Sequence, residues 1–209
     1  MKSEAYLNAD YQCIQKEAAG GRLVSIPGVW IEGKTYWIQN GYEKLIPDHS
    51  ISVHIKHISK HSKVQYSEIY VRNHASVAKQ MKILVLNHYT QPFKEHLAFV
   101  SPTDNIIFHS VDEELFLVNG ECNGCRLEQR TIQPQWNIHT EHIWSKRGNG
   151  ILKYQPMGKG ASVSIFSLNV EIKPHTSTIG RTWTIHGKEK QDVMALNSYL
   201  IKNHTSISP

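Results

Sequence analysis

From Arg22 to His186 the chain alternates apolar and polar residues in short runs. The runs break at Gly, Pro and Asn signals at intervals of roughly eight to twelve residues, the rhythm of a two-sheet antiparallel β-sandwich. Residues 50–58 are a clear case. Ile51, Val53 and Ile55 share one face, while Ser52, His54 and Lys56 share the other, as a half-exposed antiparallel strand requires. Residues 162–172 show the same period over a longer run.

The stretch 68–89 organises the rest. Its pattern predicts a β-hairpin: one arm carries Ile69 and Val71, the other Met81, Ile83 and Val85, and a polar connection runs over 73–78. Val85 and Leu86 make the second arm apolar on both faces, so it is predicted to be central and covered on both sides. Residues 29–32 and 35–39 predict a second, tight hairpin with Gly33-Lys34 at its turn. Further strands are predicted at 96–100, 105–109, 115–118, 126–131, 136–139 and 181–186, with a broken one over 144–154. The predicted core comprises Ile69, Val71, Ile83, Val85, Leu86, Val163, Ile165 and Leu168.

The period changes only at the ends. Tyr6, Tyr11, Ile14 and Ala18 recur near helical spacing before Gly20-Gly21. After Lys188, the residues Val193, Leu196, Asn197 and Leu200 share one helical face. The predicted organisation is an N-terminal helix or partly ordered tail over 1–21, then an all-β sandwich domain over 22–209 closed by a C-terminal helix.

Composition narrows this picture. With 209 residues, 40% of them hydrophobic, the chain can bury one sizeable β core. No apolar run approaches the ~20 residues that span a bilayer, and MKSEAYLNAD is not a secretory signal. The expected compartment is the cytoplasm. The net charge is +5, but the 23 Lys and Arg are scattered. Lys56, Lys60 and Lys63, among His54, His57 and His61, read as a solvated edge strand. No nucleic-acid partner is expected.

Candidate chemistry is sparse. Cys122 and Cys125 form C-x-x-C in a Gly-rich turn. Three readings stay open: two free thiols, a reversible disulfide, or half of a zinc site needing two more ligands. His88 and His109 are the first candidates to complete that site. His54 and His57 fall on opposite strand faces and cannot chelate together. The carboxylates are dispersed, and no P-loop, Rossmann or G-x-S-x-G signature occurs. No cofactor is expected. Aromatic residues are numerous, with Trp30, Trp37, Trp136, Trp144 and Trp183 spread along the chain. Most read as core, and the alternative is a stacking platform for sugar rings. Its candidate ligand-binding residues are Trp136, Trp144, Tyr89, His88 and His109.

The order of elements resembles the N-terminal β-supersandwich domain of bacterial and archaeal glucoamylase-type glycoside hydrolases. The resemblance rests on Arg72-Asn73-His74, Asn87-His88-Tyr89, Thr103-Asp104, Phe108-His109 and the run from Trp183 to Lys188. In that family an (α/α)6 barrel follows this domain and holds the catalytic carboxylates. No residue here matches them. The resemblance therefore implies a non-catalytic module that binds a carbohydrate or a protein partner. Two other expectations stand beside it: a structural component of a multi-protein assembly, and a metal-dependent enzyme using Cys122 and Cys125.

Overall fold

The computed structural model describes residues 21–39, 41–91 and 95–205. The helix expected over 1–19 lies outside them. The strands are β1 (Leu23–Ile31), β2 (Lys34–Trp37), β3 (Glu43–Ile46), β4 (Ile51–His61), β5 (Val64–Asn73), β6 (Lys79–Tyr89), β7 (Leu97–Val100), β8 (Ile107–Val111), β9 (Glu114–Cys122), β10 (Cys125–Arg126), β11 (Gln129–Pro134), β12 (Trp144–Lys146), β13 (Ile151–Leu152), β14 (Met157–Lys159), β15 (Ser162–Ile172) and β16 (Ser177–Gly187). Helix α1 (Lys190–Thr205) follows them.

Two antiparallel sheets pack face to face. One has five strands in the order β11-β15-β6-β1-β2. The other has nine, with the path β14-β7-β8-β9-β16-β5-β4-β3 and β10 paired to β9. This is the all-β two-sheet sandwich that the alternation predicts.

The expected hairpin over 68–89 is not one. β5 pairs with β4 and β16, whereas β6 pairs with β1 and β15. The connection carries the chain from one sheet to the other. Both arms are apolar inward because they face each other across the core. A period of two fixes which face of a strand is buried, not which strand lies beside it.

β15 and β16 make the same crossover, and they lie beside β6 and β5 respectively. Asn73 clips the two crossovers together. Its Nδ2 donates to the carbonyls of Val77, Ile172 and Lys173 at 2.8, 3.1 and 3.3 Å. Its Oδ1 accepts from the Ala75 amide at 2.9 Å.

The apolar residues form three layers. Ile69, Val71, Ile83, Val85 and Leu168 lie between the sheets. Val193 and Leu200 of α1 cover Leu117, Trp183 and Ile185 on the outer face of the nine-stranded sheet. Ile143, Trp144 and Leu152 cover Leu84, Leu86 and Ile165 on the outer face of the five-stranded sheet. β6 is therefore central and covered on both faces, as predicted. Leu86 and Ile165 are buried, but in the outer layer rather than between the sheets.

The β1–β2 hairpin turns at Glu32-Gly33, one residue earlier than expected. Ile31 pairs with Lys34, and both turn residues have positive φ, 48° and 80°. Such a turn matches the twist of the strands it joins. Residues 136–139 do not form a strand. Gln135–Asn137 is a 3-10 turn, and four residues are too few for a period of two to exclude one.

Candidate functional site

The outer face of the five-stranded sheet carries a groove. Its floor is Ile26 of β1, Leu86 and His88 of β6, and Trp37 of β2. The opposing wall comes from the irregular segment 135–147. Two adjoining cavities of about 140 and 320 Å³ share Trp37, Ile138 and His139. Gln39 and Gln135 line the first, and Thr35, Thr140, Glu141, Trp144 and Arg147 line the second.

Trp37 owes its position to Gly28. A Cβ at Gly28 would sit 2.5 Å from the Trp37 ring, so a larger residue there would push the indole away from β1. The wall is tied down by two hydrogen bonds. Trp30 Nε1 donates to the Arg147 carbonyl at 3.0 Å, and Arg147 Nε donates to the Gly33 carbonyl at 3.0 Å. Arg147 also pairs with Glu141. The Thr140 hydroxyl accepts from the His142 amide at 3.2 Å and so caps the turn Glu141–Ile143.

The electrostatics of the groove are mixed. Burial lowers the pKa of His88, so its imidazole is neutral at pH 7. Thr35 Oγ1 is buried without a hydrogen-bond partner among the described residues. Buried hydroxyls normally find one. The groove thus offers the indoles of Trp37 and Trp144, a neutral imidazole, amide groups and an ion pair around a partly apolar floor.

The predicted ligand-binding residues divide between two places. His88 and Trp144 line the groove. Trp136 is 74% exposed on the turn that also carries Gln135. Tyr89 and His109 lie on the other side of the sheet. His88 and Tyr89 are neighbours on one strand and so point to opposite faces. Tyr89 packs edge-on against Phe116, with centroids 5.7 Å apart.

His109 is fully buried between the sheets, within a polar chain that joins them. His109 Nδ1 is 2.9 Å from His96 Nε2, and His109 Nε2 is 2.8 Å from Ser164 Oγ. Asn87 Nδ2 donates to Ser164 Oγ at 3.3 Å. Ser25 Oγ donates to Asn87 Oδ1 at 2.7 Å. This chain satisfies its own members and belongs to the core.

Cys122 is buried and Cys125 exposed, and both are free thiols. His109 does not reach them. It pairs with Phe116, six residues from Cys122 along β9, which is roughly 20 Å at strand spacing. His88 faces away on the other sheet. Among the described residues, no group of three or more His, Cys, Asp and Glu side chains is placed to hold a metal. His54 and His57 diverge as expected, towards Glu43 and Ser67 respectively.

The sequence offered Trp37 only as one of five tryptophans and did not place His139, Glu141 or Arg147 at a site. Gly28 followed by Trp30 and Trp37 was a usable signal for the first. Nothing local marks the other three, because the fold of 135–147 brings them to the sheet.

The residues behind the resemblance mostly do structural work. Asn73 clips the crossovers, Asn87 and His109 sit in the buried polar chain, and Trp183 Nε1 donates to Asn197 Oδ1 at 2.9 Å. Asp104 accepts from the Ser101 hydroxyl at 2.9 Å. No protein-family model and no curated protein matches the chain. No helix among the described residues is long and apolar enough to cross a membrane.

Proposed function

We propose that the chain is a non-catalytic binding module whose groove over the five-stranded sheet takes a carbohydrate. The observation that carries this reading is the convergence on Trp37. An indole face packs against sugar C–H groups while neighbouring polar groups bond hydroxyls. His88, His139, Gln39 and Gln135 supply such groups in the smaller cavity. The resemblance to the glucoamylase-type N-terminal domain fits this reading, and so does a cytoplasmic site of action.

The test is calorimetric titration with a panel of soluble oligosaccharides. At least one should bind, and Trp37→Ala and His139→Ala should each weaken it by about tenfold or more, the equivalent of ~1.4 kcal/mol. The recovered oligosaccharide should be intact by mass spectrometry. Binding that neither substitution changes, or no binding across the panel, defeats the reading. Cleaved sugar defeats its non-catalytic half.

A second reading, a component of an assembly, has its own support. β3 and β14 are the two edges of the nine-stranded sheet. They expose Leu45 and Met157, with Tyr42 and Tyr154 close by in sequence. Exposed apolar edges are surfaces on which further strands pair. Sedimentation that shows a larger species, dissolved by Leu45→Lys, favours assembly over sugar binding.

A further inference from the structure

The short hairpin β9–β10 sets Cys122 directly opposite Cys125. Its turn is Asn123-Gly124, with φ of 52° and 76°, the two-residue form that fixes register. Directly opposed residues project to the same face of a sheet. That face is the inner one. Cys122 belongs to the inter-sheet core, and so does Leu127, two residues beyond Cys125. Cross-strand partners lie roughly 4.5–5.5 Å apart at Cα, inside the window of roughly 4.4–6.8 Å that a disulfide spans.

The two thiols differ in access. Cys122 is 1% exposed, and its Sγ lies 3.6 Å from the Thr178 hydroxyl. Thr178 Oγ1 in turn donates to Asn123 Oδ1 at 3.3 Å, which ties the turn to β16. Cys125 is exposed at the sheet margin.

From this arrangement we infer that Cys122 and Cys125 form a reversible dithiol–disulfide site, closed by a low-molecular-weight disulfide of the glutathione class. The Cys125 thiolate attacks one sulfur of the small disulfide. A mixed disulfide forms and one small thiolate leaves. The Cys122 thiolate then attacks the Cys125 sulfur, and the second small thiolate leaves. The protein gives up two electrons and two protons, and the small disulfide becomes two thiols. Burial raises the pKa of Cys122, so Cys125 meets the oxidant first and Cys122 resolves the adduct. A small dithiol reverses both steps. This site is independent of the groove and of any ligand held there.

The experiment uses the full chain carrying Cys13→Ser, which removes the third cysteine of the sequence so that only this pair can react. The protein is incubated with glutathione disulfide, free thiols are blocked by alkylation, and peptides are mapped by mass spectrometry. The expected result is one peptide pair linked Cys122–Cys125, with both thiols lost to alkylation and both restored by dithiothreitol. A Cys122→Ser variant should instead accumulate glutathione on Cys125, because the resolving thiol is gone. A stable glutathione adduct on Cys125 in the protein with Cys122 present, with Cys122 still open to alkylation after unfolding, overturns the inference. So does full alkylation of both thiols. If Cys122→Ser fails to fold, the peptide map of the protein with both thiols decides alone.

Discussion

His96 Nε2 lies 2.9 Å from His109 Nδ1 inside the sandwich, and the two rings stack with centroids 5.1 Å apart and planes at 23°. One nitrogen of this contact donates and the other accepts, so at least one ring is neutral. Two imidazolium rings would oppose donor to donor. Burial pushes both pKa values below 6.5, His109 the furthest, and for His109 each neighbouring histidine adds to the shift.

The pH dependence follows from the sign of that shift. The unfolded chain takes up these protons first as pH falls through the ordinary histidine value. The contribution to stability is therefore fully present above about pH 6.5 and is lost below it. Urea denaturation should show stability falling by up to about 1.4 kcal/mol per histidine for each pH unit below that point. A His109→Asn variant should be less stable at neutral pH and lose less on acidification. An equal acid dependence in both proteins counts against the buried pair.

Asn73 offers a test of the two crossovers. Asn73→Ala removes the donor shared by the carbonyls of Val77, Ile172 and Lys173, all near the point where both crossovers leave their sheets. A buried group stripped of its partner costs about 1–3 kcal/mol. The denaturation midpoint should fall by that equivalent, and amide exchange should speed up around 73–78 and 173–176 together. Faster exchange at only one crossover would mean that they are not coupled through this side chain.

The sheets also meet at one very close point. A Cβ at Gly180 would lie 2.7 Å from Ile83 Cδ1. Gly180→Ala should cost about 1–3 kcal/mol through overpacking. Ile83→Val removes the clashing methyl and costs about 0.5–1.5 kcal/mol alone. The double variant should be more stable than the sum of the two losses predicts, as for residues in contact. Simple additivity would place the two residues apart.

These sites show what the sequence could and could not disclose. The alternation of Ile51, Val53 and Ile55 fixed one buried face, and Val85-Leu86 announced a strand covered on both sides. Both are local properties. The pairing of β6 with β1 and β15 is not, because Ile69 and Ile83 would look the same across a core as in a hairpin. Likewise His88, Tyr89 and His109 are all polar aromatic residues on strands, yet the pleat puts His88 in the groove and the other two inside. Arg147 and His139 come to line the cavities beside Trp37 only through a wall of 3-10 turns, which carries no period to read.

The wall and its floor give a last pair of substitutions with opposite expectations. Leu86 is 1% exposed beneath that wall, so Leu86→Ala should cost about 2–5 kcal/mol through the cavity it leaves. Trp136 is the larger side chain, but it projects from the wall into solvent. Trp136→Ala should change stability by no more than about 0.5 kcal/mol. If the groove takes a sugar that extends past Trp37, the same substitution should still weaken binding, because an exposed indole is a second stacking face. Chemical denaturation and titration of the two variants separate the roles: Leu86 holds the groove in shape, and Trp136 touches what enters it. A large stability loss in Trp136→Ala would show that the indole packs against the wall instead.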